Sequence, residues 1–291
     1  MLNRTSLLVL ACLLAVPATV SADTADVARD VLKSKINASV ELAGTIVAKA
    51  SGDHADKLRV PKQQVATRGM IVDASGLAVC SLTKINPLAG GRTISARNGM
   101  TVKLRGEVTG LTMRLSSGTM VPARVVYTDA KKDLAFVAPL KALSADQKAA
   151  IAVVSLDATS ADILDEIIVL ARGNKATNYA PVCSLTRIAS VVTRPTRYYL
   201  AGASVGSMVF TAQGKLLGLT VIKKTTGGVS ASTGRASISA MPIIIPSAEI
   251  KALLPKAQQA AAKPIPAKPA APKPAPKPAP VEPQGPGPDE V

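Results

Sequence analysis

Short apolar runs, separated by clusters of turn residues, follow one another along most of the chain. Their length and their content of Val, Ile and Leu are typical of β-strands rather than of helices. The predicted strands are Glu41–Lys49, Gly69–Asp73, Leu77–Leu82, Leu111–Leu115, Val121–Thr128, Leu134–Pro139, Glu166–Ala171, Val182–Val192, Met208–Thr211, Leu216–Ile222 and Ala236–Ile245. So many strands with few helical patterns between them predict an all-β protein, built as a barrel or a sandwich, single or paired.

Turn residues mark the links between these strands. Asp73–Gly76, Ser116–Gly118 and Ala212–Gly214 each end in a glycine, which is the residue that tight turns accept most readily. These three segments therefore predict hairpin-type connections.

Helical patterns occur at the two ends of the β-rich region. Ala25–Lys35 has helix-forming composition after Asp23, which predicts a short helix within a lead-in at residues 23–38. Ser247 can cap a second helix, Ala248–Leu254, and Pro255 is expected to end it.

The first 22 residues read as an export signal. Arg4 supplies positive charge, Leu7–Val16 is an apolar run, Pro17 breaks that run, and Val20–Ala22 ends in the small residues that a leader peptidase accepts. No later stretch is long and apolar enough for a membrane-spanning helix. The sequence thus predicts an exported protein, periplasmic or secreted, without a transmembrane segment after cleavage.

The C-terminal segment, residues 255–291, is rich in Pro, Ala and Lys. Twelve of the 21 prolines lie between Pro255 and Pro288. Proline lacks a backbone donor and fixes φ, so we expect a disordered tail of extended polyproline type. Such a tail serves as a spacer or binds an envelope or cell-wall partner.

Charge and composition narrow the classes of function. The formal net charge is +16, and residues 23–255 hold 29 Lys and Arg against 16 Asp and Glu. The chain has no Trp, two Phe and four Tyr, so it lacks the aromatic platforms on which nucleic-acid modules stack bases. We therefore expect no nucleic-acid partner, while a basic domain that binds an anionic envelope polymer stays an alternative.

Metal and cofactor sites find no support in the residue types. One histidine and scattered cysteines do not make a chelating cluster, and no phosphate-binding loop of the Walker type occurs. Cys80 and Cys183 remain after leader cleavage and lie in apolar strand-like runs, where a cysteine usually acts as a small hydrophobe. The sequence predicts that both are unpaired, and it predicts neither a cofactor nor a metal.

Three local patterns carry candidate chemistry. The first is a Gly-apolar hairpin over Arg68–Thr83, and the second is the segment Val121–Val137 with Asp133-Leu134-Ala135 near its end. The third is Gly202-Ala203-Ser204-Val205-Gly206, followed by an apolar run.

These patterns, in this order, resemble the trypsin-like serine proteases, and most closely the bacterial HtrA/Deg branch. Gly173-Asn174 resembles a loop of that family, and Ile245–Ser247 resembles its closing segment before the last helix. The resemblance covers about residues 39–254. It implies two six-stranded antiparallel β-barrels with short terminal helices, the first at residues 39–143 and the second at 144–254, with the site in the cleft between them.

The resemblance also implies roles for individual residues. Ser204 falls at the nucleophile, Gly202 and Ser204 at the backbone N–H groups of the oxyanion hole, and Asp133 at the residue that orients the base. The position of the catalytic His is occupied by Thr83. A threonine hydroxyl cannot take the serine proton at useful rates, so the residue types predict impaired catalysis.

Two other residues are candidates for the base that takes the Ser204 proton. His54 lies in a polar stretch before the position that the fold reserves for a base, and Lys84 follows Thr83. At a strand end, neighbouring side chains point to opposite sides, which disfavours Lys84. Val205 stands where the family has Gly, and because a β-branched residue resists positive φ, Val205 is expected to reshape the oxyanion loop. Ser207 stands in place of the family's Pro.

Together these features predict an exported protease homologue without efficient catalysis, a pseudoprotease that binds or scaffolds other proteins. Its expected partner is an extended peptide or protein segment held in the inter-barrel cleft as an added β-strand. The alternative is an active serine endopeptidase that uses Ser204 with a non-standard base.

Overall fold

The computed structural model describes residues 23–52, 55, 61–95, 101–229 and 236–264. Residues 1–22, where the sequence predicts an export signal, His54 and the predicted tail beyond residue 264 lie outside the described residues. The strands are β1 (Ser39–Gly52), β2 (Gln63–Ile71), β3 (Ala78–Ser81), β4 (Arg92–Ser95), β5 (Thr101–Arg114), β6 (Met120–Asp129), β7 (Leu134–Pro139), β8 (Glu166–Arg172), β9 (Pro181–Val192), β10 (Tyr198–Ala201), β11 (Met208–Thr211), β12 (Leu216–Val229) and β13 (Ala236–Pro246). The helices are α1 (Thr24–Lys35), α2 (Leu82–Ile85), α3 (Ala145–Ala149) and α4 (Ser247–Ala262).

These strands form two closed antiparallel barrels of six strands each. The first runs in the order β1-β2-β3-β7-β6-β5 and closes through pairing of β1 with β5, while β4 pairs with the far end of β5. The second closes in the order β10-β13-β12-β11-β8-β9. The predicted all-β double barrel with short terminal helices is confirmed.

Strands that are buried on both faces explain the continuous apolar runs of the sequence. In β7, Ala135 and Val137 line the interior of the first barrel, whereas Leu134 and Phe136 point outward into a core shared with the second barrel. The second barrel repeats this pattern in β8, where Ile167 and Val169 face its interior. Because neither face meets water, no polar alternation is needed.

The shared core lies between the barrels and is covered by the terminal helices. Ala28 and Val31 of α1 and Ile250, Leu253 and Ala257 of α4 pack into it. At the start of α1, the Asp23 side chain accepts a hydrogen bond from the Ala25 N–H at 3.3 Å, as expected for a helix cap. The N-terminal helix agrees with the sequence prediction to within one residue.

The predicted end of the last helix at Pro255 is wrong, because α4 continues to Ala262 with Pro255 inside it. Pro255 is exposed, so its ring does not disturb the packed face that contains Leu253 and Ala257. At the end of α4, Arg124 Nη2 donates to the carbonyl oxygens of Ala261 at 2.9 Å and Lys263 at 2.7 Å. Packing and this cap offset the one hydrogen bond that proline removes.

Several elements were not predicted from the sequence: α2, α3, strands β4 and β10, and the first parts of β2 and β5. The first part of β5 pairs with the exposed end of β1 beyond the barrel wall, from Thr45 opposite Thr109 to Gly52 opposite Val102. Its residues are largely exposed and lack the continuous apolar run of the core strands. The three predicted turns are present, each with its glycine at positive φ: Gly76, Gly118 and Gly214.

Candidate functional site

The residues singled out by their motifs come from connections between strands. Helix α2 follows β3 directly and carries Thr83 and Lys84. The turn between β6 and β7 presents Asp133, and the loop between β10 and β11 presents Ser204. The backbone of β12 forms hydrogen bonds with both the Asp133 side chain and the Ser204 loop.

Asp133 is buried, and its carboxylate accepts three hydrogen bonds. Oδ2 accepts from Ser81 Oγ at 2.5 Å and from the Ile222 N–H at 2.9 Å, and Oδ1 accepts from the Thr83 N–H at 2.7 Å. The Asp133 carbonyl also accepts from the Leu82 N–H at 2.9 Å. These donors belong to both barrels, so Asp133 joins α2 of the first barrel to β12 of the second.

Thr83 and Lys84 lie in a helical turn, and the prediction that they end a strand is wrong. Ser81 caps this turn, since its hydroxyl accepts from the Lys84 N–H at 3.4 Å while it donates to Asp133. In the turn, Thr83 and Lys84 line different cavities. Sequence reasoning missed Ser81, although a serine just before the candidate site is a common helix-capping signal.

The Ser204 loop is held by short-range hydrogen bonds. Ser204 Oγ and Ser207 Oγ lie 2.8 Å apart, and the Ser207 N–H donates to the Ser204 carbonyl at 3.1 Å. Ser204 is exposed, whereas Ser207 is fully buried. The hydrogen-bond partner of the candidate nucleophile is thus another hydroxyl group, which the sequence motif did not indicate.

Val205 does not adopt a positive φ, as expected of a β-branched residue. That conformation falls on Gly206, with φ of +85°. A Cβ atom at Gly206 would lie 2.7 Å from the Arg68 carbonyl oxygen of the first barrel. Residue 206 must therefore be a glycine, because its φ is positive and because β2 approaches too closely for a side chain.

The Ser204 loop and Asp133 meet on one edge of β12. Thr220 accepts from the Gly206 N–H at 2.7 Å and donates to the Ser207 carbonyl at 3.0 Å. Two residues further along, the Ile222 N–H donates to Asp133. Two residues of a strand span roughly 7 Å, so the structure brings the loop of Ser204 next to Asp133 and Thr83.

Of the two alternative bases, Lys84 is described by the structure and His54 is not. Lys84 is exposed and lines a cleft of about 200 Å³ together with Val205, so it lies beside the Ser204 loop. An exposed ammonium group lacks the desolvation that a lysine base requires. His54 lies outside the described residues.

A larger cavity of about 420 Å³ lies between the barrels on the other side of Thr83 and Asp133. Its lining includes four lysines, Lys131, Lys132, Lys223 and Lys224. The ammonium of Lys132 pairs with Glu249 Oε2 at 2.5 Å, and that of Lys223 lies 4.3 Å from the centre of the Tyr198 ring. The cavity wall is therefore basic, and two of its lysines have a fixed position.

Both described cysteines are free thiols, as predicted. Cys80 is fully buried, and burial, together with the nearby Asp133 charge, raises the pKa of its thiol far above the usual range. Partial burial also raises the pKa of the Cys183 thiol. Neither cysteine is a candidate nucleophile, since reactive thiols have lowered pKa values.

The described residues 23–52, 55, 61–95, 101–229 and 236–264 contain neither a metal-binding cluster nor a membrane-spanning helix. Within these ranges, no three His, Cys, Asp or Glu side chains are grouped so as to hold a metal ion. The helices in these ranges are too short or too polar to cross a lipid bilayer.

Neither a scan against protein-family models nor a search of curated proteins finds a match for this chain. The double barrel is consistent with the trypsin-like fold.

Proposed function

We propose that this chain is a protease-fold protein that holds an extended polypeptide segment between its barrels and does not cleave it. The observation that carries the proposal is the environment of Asp133. Its carboxylate is engaged by Ser81, by the Thr83 backbone and by the Ile222 backbone, all of which are fixed parts of the barrels. Asp133 thus supports the architecture and orients no base among these partners.

The hydroxyl of Ser204 supports the same conclusion. A serine becomes a nucleophile when a group with a suitable pKa removes its proton. The neighbour of Ser204 Oγ is Ser207 Oγ, and the residue that replaces the catalytic His is Thr83. A hydroxyl group accepts a proton far too weakly at neutral pH to act in this role.

The free edge of β12 offers a place for a peptide. The N–H and C=O groups of Thr220 face the Ser204 loop, and this orientation repeats at Ile222 and Lys224 because strand geometry has a period of two. On this edge β11 pairs with β12 only as far as Leu219, and no other described strand pairs there. The Lys224 backbone is therefore available for an added strand.

Charge indicates which segments this edge favours. The cavity beside it is lined by four lysines, and the two carboxylates that also line it, Asp129 and Asp133, accept backbone N–H groups. Segments with acidic side chains gain favourable electrostatic energy in such a cleft. We propose an acidic extended segment as the ligand.

Export is part of the proposal and is supported by the leader pattern at residues 1–22. The Pro-rich tail then acts as a spacer or contacts an envelope or cell-wall partner.

A fluorophosphonate probe tests the absence of catalysis. The mature protein is expected to label no faster than Ser204→Ala, and to leave a peptide library intact. Labelling that depends on Ser204, together with peptide turnover, would overturn the proposal in favour of an active endopeptidase. In that case Lys84→Ala and His54→Ala would identify the base, and the position of Lys84 beside Val205 favours Lys84.

Two variants of one residue test strand addition. Lys224→Pro removes both the charge and the backbone N–H, whereas Lys224→Ala removes only the charge. Edge strands tolerate proline where the N–H is unpaired, so both variants should fold, which thermal denaturation checks. The probes are extended peptides that alternate valine with glutamate or with lysine. We expect the acidic peptide to bind more tightly, and Lys224→Pro to bind it at least fivefold more weakly than Lys224→Ala. Equal binding by the two variants would rule out the β12 edge.

A further inference from the structure

Three arginines line a third cavity, at the junction of the barrels. Arg68 comes from β2, Arg114 from the end of β5 and Arg172 from the end of β8, and the cavity measures about 180 Å³. None of the three forms a salt bridge with any described carboxylate. Its described lining does not include Ser204, Asp133 or Thr83, although Arg68 and Glu41 also line the cleft beside Val205.

Strand register explains why two of these arginines meet. Glu41 of β1 is directly opposite Arg68 on one side and Arg114 on the other. Residues that are paired in this way carry their side chains on the same face of the sheet. Among the described residues that line the cavity, Glu41 is the single acidic one, so three positive groups face one negative group there.

Arg172 contributes an unsatisfied donor. Its Nη2 donates to Asn37 Oδ1 at 3.0 Å, but its Nε is buried and has no hydrogen-bond partner among the described residues. Burial also lowers the pKa of this guanidinium below its ordinary value. A buried charged group without full hydrogen bonding is costly, and negative charge in the adjacent cavity offsets that cost.

Arg114 is held in place by an aromatic ring. Its guanidinium carbon lies 4.1 Å from the centre of the Tyr179 ring. Tyr179 and the preceding Asn178 both have positive φ, +56° and +49°, which is unusual for a residue as bulky as tyrosine. Such backbone strain persists where the surrounding structure requires it, and it often marks binding sites.

We infer that the cavity formed by Arg68, Arg114 and Arg172 is a binding site for a phosphate- or sulfate-type oxoanion. Guanidinium groups bind such anions through paired N–H···O bonds. Three of them approaching from three strands suit a tetrahedral anion with several oxygens better than a planar carboxylate with two. None of the three arginines is among the described residues that line the cavity with the four lysines, so Lys224→Pro should bind the anion like the wild-type chain.

The test titrates the mature protein with inorganic phosphate, methyl phosphate, sulfate or acetate, at constant ionic strength set with chloride. The readouts are the Nε–Hε NMR signal of Arg172, assigned with Arg172→Gln, and the ring signals of Tyr179, assigned with Tyr179→Phe. We expect phosphate to shift both sets of signals along one saturable curve, with acetate at least tenfold weaker. Tighter binding of methyl phosphate than of inorganic phosphate would identify the occupant as a phosphate group on a larger molecule, and the reverse order would identify the free ion.

Matched variants make the result specific. Arg68→Gln, Arg114→Gln and Arg172→Gln should each weaken phosphate binding at least tenfold. Arg105→Gln removes the same charge from an exposed position of β5 and should leave binding unchanged. Since Arg172 is partly buried and its loss could impair folding, Arg68→Gln and Arg114→Gln decide the outcome if that variant unfolds. No signal shift when phosphate replaces chloride, tighter binding of acetate than of phosphate, or equal weakening by Arg105→Gln would overturn the inference.

Discussion

Replacing Asp133 by asparagine tests the role of this residue as a joint between the barrels. The asparagine side chain has the same shape and accepts the left-handed φ of +56° that Asp133 adopts. It lacks the charge, and its amide nitrogen donates hydrogen bonds where a carboxylate oxygen accepts them. The new amide nitrogen would then face another donor: either the Thr83 N–H, or the Ser81 hydroxyl and the Ile222 N–H.

The magnitude follows from these contacts. A buried donor left without an acceptor costs about 1–3 kcal/mol, and each remaining bond loses roughly 0.5–1 kcal/mol when its acceptor is no longer charged. Since Asp133 is only 7% exposed, water does not replace the missing acceptor. We therefore expect Asp133→Asn to lower the free energy of unfolding by about 2–4 kcal/mol.

Urea denaturation of the wild-type chain and the variant measures this loss. The matched control is Asp129→Asn in the same turn, where Oδ1 accepts the N–H groups of Lys131 and Lys132 at 3.0 Å each and the side chain is partly exposed. We expect less than about 1 kcal/mol for that control, since water can satisfy the freed N–H groups. If Asp133→Asn costs no more than Asp129→Asn, the carboxylate does not stabilise the junction and our reading of Asp133 is wrong.

Three further predictions concern the same region. Gly206→Ala should lower stability by about 2–4 kcal/mol, because φ is positive there and the new Cβ would meet the Arg68 carbonyl. The control Gly110→Ala is also at positive φ, but no described atom lies within 4 Å of its Cβ, so it should cost only about 1–2 kcal/mol. Equal losses in thermal denaturation would contradict the steric argument. Burial raises the pKa of the Cys80 thiol, so the folded protein keeps this thiol protonated at a pH where the unfolded chain loses the proton. The stability that the buried thiol contributes is therefore complete below the unfolded thiol's pKa of about 8.5 and declines as the pH rises above that value. Cys80→Ala should remove part of the decline in unfolding free energy between about pH 8.5 and 10, and identical slopes in the two proteins would refute this. Thr83→His should increase fluorophosphonate labelling of Ser204 by about 10²–10⁴-fold, since it supplies an imidazole base, and the same increase in Thr83→His/Ser204→Ala would show that a different residue reacts.

The apolar pattern determined the β-rich class and most of the core strands. Strands β7 and β11 have the predicted bounds, because both faces of each are buried and their apolar runs end where burial ends. Strands β4 and β10 and the exposed half of β5 carry no such run, since pairing rather than burial defines them. The end of α4 beyond Pro255 likewise depends on Arg124, which lies more than a hundred residues earlier in the chain.

Some features of the candidate site can likewise be read from the sequence, and others depend on the fold. The motifs around Ser204, Asp133 and Thr83 and the absence of a histidine at residue 83 could be read from the residues themselves, because each motif is local. The partners of Asp133, the Ser204–Ser207 contact and the meeting of Arg68, Glu41 and Arg114 could not, because residues far apart in sequence become neighbours only through strand register and barrel closure. Local sequence therefore determined which chemical groups the chain carries, and the tertiary structure decided which of them touch.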